Sequence, residues 1–279
     1  MKRVLVTGLG GFIGKHVRAP LERRGFEVQG NEIDLLGEGA AARTVAAARP
    51  THLLHLAWTS SAARMRDPAE NAAWAKASVA LFEAFTRAGG ERAAFAGSCA
   101  EYDWSRGTLS ESSTPSRPVT PYGESKNDVR RSVEGGNTAW ARLFFLYGPH
   151  EPRGRLVSDI CAGLLEGREI ELTEGRQQRD YLHAEDAAEA LVALLDSDVR
   201  GTINVASGSA VAVRDIARTL GELAGQPELL AFGRRPMAAQ DPPLLVADTT
   251  RLRGELGFVP RYRLEAGLQQ TLEWWRSHG

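Results

Sequence analysis

A strand-like run, Lys2-Arg3-Val4-Leu5-Val6-Thr7, passes without a spacer into Gly8-Leu9-Gly10-Gly11-Phe12-Ile13-Gly14. Few folds begin with an apolar strand, a glycine turn and a helix start in such short succession. The physical reading is a dinucleotide cradle. One glycine permits the tight turn, a second lets backbone approach a pyrophosphate, and a third lets the helix pack on the strand. The helix N-terminus then presents free N–H groups and a positive dipole end to the phosphates. The spacing is G-x-x-G-x-x-G at Gly8, Gly11 and Gly14 rather than the commoner G-x-G-x-x-G. In a chain with 29 glycines, three at fixed spacing say little, so their position directly behind the first strand carries the signal.

The rest of the first half keeps the same rhythm. Segments 4–7, 26–30, 52–56, 93–96 and 139–146 read as strands, and 12–24, 40–48, 68–87 and 122–133 as amphipathic helices. Strands alternating with helices are the βαβ signature of a parallel sheet. After Gly148-Pro149 the pattern loosens. A helix at 156–165, a strand at 169–173, the run 179–183, a helix at 185–195 and a strand at 202–205 come next. Helices at 213–223 and 264–276 flank a stretch containing Pro236, Pro242 and Pro243. The expected fold is α/β: a Rossmann-like doubly wound parallel sheet with a smaller, mixed α/β C-terminal substrate domain. Residues 1–148, with roughly 178–206 returning, form the nucleotide half in this reading, and 149–177 with 207–279 the substrate half.

The bulk numbers narrow the partners. Lys+Arg 34 against Asp+Glu 35 gives a net charge of −1, which argues against nucleic acid or an anionic membrane. No apolar run is long enough for a membrane span. The first strand starts at once, leaving no room for a signal peptide. Cys99 and Cys161 are the only cysteines and have no metal-ligand spacing, so a reduced, cytoplasmic protein without a metal site is expected.

Tyr122-Gly-Glu-Ser-Lys126 opens a helix, placing tyrosine and lysine at i and i+4 on one face. A lysine cation there stabilises a tyrosinate and draws the phenol down from its reference near ~10. That makes an acid/base for a hydroxyl or carbonyl proton. With 5 tyrosines and only four lysines (Lys2, Lys15, Lys76 and Lys126) in 279 residues, chance supplies about 0.07 such pairs.

Taken together these motifs resemble the extended short-chain dehydrogenase/reductase family, in its nucleotide-sugar epimerase/dehydratase/ketoreductase branch. The resemblance runs almost the whole length. It comprises Thr7-Gly-x-x-Gly-Phe-x-Gly14, His52-Leu-Leu-His-Leu-Ala57, Asp67-Pro68 with Asn71, and Phe95-Ala-Gly-Ser98 with Tyr102. It continues through Tyr122-x-x-x-Lys126, Arg142-x-Phe-x-x-Tyr-Gly-Pro149 and Arg179-Asp-Tyr-x-His183-x-x-Asp186.

The resemblance implies catalysis by Ser98, Tyr122 and Lys126. Ser98 would hydrogen-bond the reacting oxygen and orient it toward Tyr122, and Lys126 would also hold the nicotinamide ribose. Gly8, Gly11, Phe12, Ile13, Gly14, Leu56 and Ala57 would line the cofactor. Glu32, 18 residues beyond Gly14, falls where an acid accepts the adenosine ribose hydroxyls and repels a 2′-phosphate. That favours NAD, with NADP as the alternative. Asp34 and Leu35 resemble the family's adenine-contacting pair. Arg179 matches an arginine that contacts the substrate diphosphate, and Arg235 (or Arg234) resembles a second, an arrangement that suits bidentate clamping. Trp58 reads either as a wall of the nicotinamide pocket or as a packed core residue. The family's four-helix contact implies a homodimer through 68–87 and 122–133.

Departures sharpen the reading. The family's 4,6-dehydratases carry Asp-Glu directly after the catalytic residue, where this chain has Cys99 and Ala100, and Glu101 on an alternating strand would face away. Position 145 is Phe where many sugar epimerases have Asn, and the C-terminal part is short. The expected reaction is therefore reduction of an NDP-4-keto-6-deoxysugar, with NAD-dependent 4-epimerisation as the runner-up and a non-catalytic NAD-binding protein as the remote third.

Overall fold

The computed structural model describes residues 2–59, 61, 64–238 and 241–278. The first half runs β1 (Lys2–Thr7), α1 (Gly14–Arg23), β2 (Phe26–Gly30), α2 (Ala40–Ala48), β3 (His52–His55), α3 (Pro68–Arg87), β4 (Arg92–Ser98), β5 (Thr108–Leu109), α4 (Pro121–Val133) and β6 (Thr138–Leu143). Then come β7 (Phe145–Tyr147), α5 (Leu156–Leu165), β8 (Ile170–Glu171), β9 (Gln178–His183), α6 (Ala184–Leu195) and β10 (Gly201–Val205). The chain closes with β11 (Ala210–Ala212), α7 (Val213–Ala224), β12 (Leu230–Ala231), β13 (Leu244–Ala247), α8 (Thr250–Gly254) and α9 (Leu264–His278).

Six strands pair in the order β10-β6-β4-β3-β1-β2, all parallel. The near-continuous apolar strands follow from this, because helices cover both faces. Along β1 the side chains alternate: Val4 and Val6 join Val17, Leu21 and Leu191 of α1 and α6, while Leu5 joins Leu53, Phe85 and Val129 on the other face. Burying each such side chain stabilises the fold by roughly 1.5–3 kcal/mol. The strand order reverses at β1, with β2 on one side and β3 on the other, and ligands of open α/β sheets bind beyond the strand ends at such a reversal.

The expected strand over 139–146 is two strands. β6 ends at Leu143 in the central sheet, Phe144 N donates to Val205 O at 3.3 Å, and β7 leaves to pair with β9. Alternation and apolarity continue across the break, so the sequence hides a change of partner. β9 anchors a second sheet in which it pairs antiparallel with β11 and parallel with β13, which in turn pairs with β5. Asp180 ties this sheet to the end of β10: it accepts Ser207 N at 2.8 Å, Gly208 N at 3.0 Å and Ala247 N at 3.1 Å. α1 starts two residues later than expected, at Gly14, and continues through the buried Pro20 to Arg23. The strand expected at 169–173 shrinks to the two residues of β8, paired with β12. Among the described residues, no helix is long and apolar enough to cross a membrane.

Candidate active site

At the switch point the glycine turn closes tightly. Gly8 holds φ at 75°, and a Cβ there would lie 2.9 Å from Ala57 N. A Cβ on Gly14 would sit 2.1 Å from Gly8 O, so no other residue fits without moving the backbone. The turn is held from both neighbouring strands. Gly8 N donates to Asn31 Oδ1 at 3.2 Å, and Ala57 N donates to Thr7 Oγ1 at 3.3 Å. No side chain caps the start of α1; the Lys15 and His16 N–H groups bond back to Gly11 O and Ile13 O, and the N–H groups just ahead of them are left to an outside anion. A nucleotide pyrophosphate fits that donor set. From here a cleft of about 890 Å³ runs past Leu56 and Ala57 to Ser98, Tyr122 and Lys126.

Ser98 is the last residue of β4, and the chain turns there into a short 3₁₀ helix, Cys99–Glu101. That turn corrects the expectation for Glu101. It folds back beneath the turn, fully buried, accepting Ser98 N at 2.7 Å, Trp140 Nε1 at 2.9 Å and Arg142 Nε at 2.9 Å. Its charge is balanced by Arg142, with Arg130 at 3.9 Å. Trp104 Nε1 donates to Cys99 O at 2.8 Å and pins the other side of the turn. Glu101 thus holds Ser98 in place. Cys99 is buried, with its thiol pushed up to about 12 by burial and by Glu101.

Tyr122 and Lys126 share the inner face of α4, which starts at Pro121 with Thr120 Oγ1 accepting Gly123 N at 3.1 Å. A Cβ on Gly123 would lie 2.2 Å from Ala100 O, so this helix packs directly on the turn that carries Ser98. The expected downward pull of lysine on tyrosine does not prevail here. Burial pushes the Tyr122 phenol up to about 12, against a hydrogen bond from Ser98 and the Arg155 charge. Lys126 Nζ is turned instead to Ala96 O at 2.8 Å and to the Trp58 ring, 3.9 Å from its centroid. Burial brings Lys126 down to about 7, with Glu101 pulling the other way. In this arrangement Tyr122 is a protonated acid.

The remaining expected residues scatter. Glu32 is exposed just beyond β2, and Asn31 is the residue turned to the cradle. Asp34 is exposed and accepts Leu36 N at 3.1 Å, while Leu35 is buried in the core beneath α2 and α3. Arg179 is buried, pairs with Asp241, and stacks 5.7 Å from the Phe145 ring. Arg235 is exposed on the segment after β12, its N–H on Leu172 O at 3.1 Å. Neither arginine lines the cleft. Arg66 and Arg155 do, together with Glu151 and Tyr181. Glu151 is buried, accepts Ser158 N at 3.1 Å, and burial pushes its carboxyl up to about 8. Sequence reasoning assigned none of these four to the site, although Tyr181 belongs to the Arg179-Asp-Tyr-x-His183 motif. Arg155 also has a local signal, as the residue just before the apolar run of α5. Trp58 has both features: it lines the cleft and packs against the core beneath α3.

Comparison with known proteins agrees with this geometry. The NAD dependent epimerase/dehydratase family matches residues 4–206. A UDP-glucose 4-epimerase of Azospirillum brasilense is 29% identical over 99% of this chain and 92% of its own length. A dTDP-4-dehydro-6-deoxy-D-allose reductase of Streptomyces bikiniensis is 32% identical, over 56% of this chain and 49% of its own. Among solved structures, the UDP-glucose 4-epimerase of Thermus thermophilus in complex with NAD is 26% identical. It superimposes with a TM-score of 0.87, covering 99% of this chain and 100% of that one.

Proposed function

The chain belongs to the NAD dependent epimerase/dehydratase family, and from that premise we propose that it is an NDP-4-keto-6-deoxysugar 4-ketoreductase. The observation that carries the reading is one continuous cleft. It starts at an uncapped, glycine-closed helix end and finishes at Ser98, Tyr122 and Lys126 on a single wall. A nicotinamide cofactor held there supplies hydride to the sugar carbon. Gly8, Gly11, Phe12, Ile13 and Gly14 receive its pyrophosphate, with Leu56 and Ala57 beside them. Glu32 accepts the adenosine ribose hydroxyls and selects NAD over NADP; Asp34 and Leu35 stand next to it.

Ser98 Oγ hydrogen-bonds the carbonyl oxygen, and Tyr122 gives that oxygen its proton, which suits a phenol that burial keeps protonated. Lys126 supplies the positive charge that offsets the tyrosinate left behind. The nucleotide diphosphate is the ligand for Arg66 and Arg155 on the cleft wall, while Arg179 stays committed to Asp241 and Arg235 lies outside the cleft. Residues 149–177 and 207–279 provide that substrate half. The protein pairs as a homodimer through α3 and α4, which light scattering at micromolar concentration tests.

Two observations favour reduction over the dehydratase and epimerase branches. Cys99 and Ala100 give the turn no acid or base, and Phe145 lies against Tyr181 with rings 5.6 Å apart where a polar substrate grip would be needed. The second reading, 4-epimerisation with bound NAD⁺, is favoured by the full-length likeness to UDP-glucose 4-epimerases. The two part in one experiment. A reductase purifies largely empty and consumes NAD(P)H stoichiometrically with a 4-keto NDP-sugar. Conversion of a 4-hydroxy NDP-sugar into its C4 epimer, with no net change in reduced-nicotinamide absorbance, overturns the assignment.

A further inference from the structure

The Lys126 ammonium has three N–H donors and no acceptor. It is buried, one donor is taken by Ala96 O at 2.8 Å, and its nitrogen lies 3.9 Å from the centroid of the Trp58 ring. The indole is itself fixed on three sides. Its Nε1 donates to Asn71 Oδ1 at 3.0 Å, and the fully buried Asn71 amide donates in turn to Met65 O at 2.9 Å and Asp67 O at 2.8 Å. Trp74 of α3 stacks on it with centroids 6.2 Å apart at 28°, and the Tyr122 ring meets it at 6.0 Å and 80°. This is what the Asp67-Pro68 and Asn71 pattern does structurally: it builds a rest for one tryptophan between the two residues of the tyrosine–lysine pair.

Little else near Lys126 compensates its charge. Glu101, from the turn after β4, is shared among Ser98 N, Trp140 and Arg142. Tyr122, one turn back on α4, is a neutral phenol whose ring centroid lies 5.8 Å from the Lys126 nitrogen, farther than that of Trp58, and His55 at the end of β3 is held neutral, lowered to about 3 by burial and by Lys126 itself. Burial drives the ammonium toward losing its proton, whereas an indole face is the aromatic surface that attracts a cation most.

We propose that Trp58 is a positioning residue for Lys126: its face keeps the buried ammonium charged and directs the one uncommitted N–H into the cleft. In the ketoreductase reading, on which only this last consequence rests, that N–H meets the nicotinamide ribose.

With four lysines in the chain, the test needs no isolation of a fragment. Whole protein labelled with ¹³C at lysine Cε gives a countable set of signals, and Lys126→Met identifies the one to follow. Trp58→Leu should lower the Lys126 titration midpoint by about one pH unit, and Trp58→Phe by about half a unit. Should the leucine variant not fold, protein grown with mono-, di- and trifluorotryptophan keeps the indole shape while draining its π face. The midpoint should then fall stepwise with fluorine number. A midpoint unmoved by fluorination, or one that rises in Trp58→Leu, overturns the inference. Turnover against pH should shift by the same amount. A shifted lysine midpoint with an unshifted rate profile overturns the catalytic reading while leaving the Trp58 contact standing.

Discussion

The two walls of the cleft are made by different means. On one side lie the ends of β1, β3 and β4 with the start of α4, and their functional groups are tied to backbone or to buried partners. Ser98 N is bound to Glu101 at 2.7 Å, Lys126 to Ala96 O at 2.8 Å, and Ala57 N to Thr7 at 3.3 Å. Across from it runs the connection from β7 to α5. There His150 adopts a φ of 68°, Glu151 carries a carboxyl that burial makes costly to ionise, and Arg155 stands uncapped at the head of α5. A parallel ladder sets the first wall, and a few turn and side-chain hydrogen bonds, among them Glu151 N to Gly148 O at 3.2 Å and Ser158 Oγ to Pro152 O at 2.8 Å, set the second. Groups on the ladder tolerate little displacement, whereas a connecting loop can change its side chains without rebuilding the sheet.

The largest expected effect lies on the first wall. Tyr122→Phe should bind cofactor and substrate as before yet lose about 10²–10⁴-fold in turnover. Single-turnover rates beside equilibrium binding check it, and a near-normal rate would place the proton donor elsewhere. Glu101→Leu strips the partner from buried Arg142 and the acceptor from Ser98 N, and should cost about 3–5 kcal/mol in urea unfolding. Arg155→Ala, on the other wall, should cost less than about 1 kcal/mol. Equal losses would erase the contrast between the walls.

Glu151 gives the contrast a pH signature. Its folded-state carboxyl is raised to about 8, so the folded protein holds a proton that the unfolded chain releases from near pH 4.5. The stabilising contribution is whole below the unfolded value and disappears as pH rises through about 8. Glu151→Gln should therefore stabilise the protein by on the order of 3 kcal/mol at pH 8 and make no difference at pH 4.5. A variant equally stable to the parent at pH 8 would mean the carboxyl is solvated. A further effect concerns cofactor choice at Glu32. Glu32→Ala should narrow the preference for NAD(H) over NADP(H) by roughly tenfold, and tighter NADP(H) binding by the unaltered protein would point to Asn31 as the ribose neighbour.

The order of elements was legible from period and punctuation. β1, the glycine turn, α3 behind Asp67-Pro68 and α4 behind Thr120-Pro121 are where local pattern places them, because each is a contract between residues a few positions apart. Helical spacing likewise put Tyr122 and Lys126 on one face. The failures are just as local in origin. The alternation of β4 suggests that Glu101 lies on an extending strand, whereas Ser98-x-x-Glu101 is a capping box that starts a 3₁₀ turn, a local signal masked by the apolar run before it. Phe144 was read through because both sheets that it joins are apolar.

The sequence by itself determined the parallel α/β architecture and the glycine cradle and, through short-range spacing, set Tyr122 and Lys126 on one helix face; Ser98 entered through the family resemblance. Tertiary structure alone decided how those residues are held and charged. It brought Trp58 onto Lys126, Arg142 onto Glu101, and Arg155 and Glu151 to the opposite wall while leaving Arg179 paired with Asp241. Those contacts join segments distant in the chain, and their energies depend on burial. Neither the distance closed by folding nor the water removed by it is written in any local run of residues.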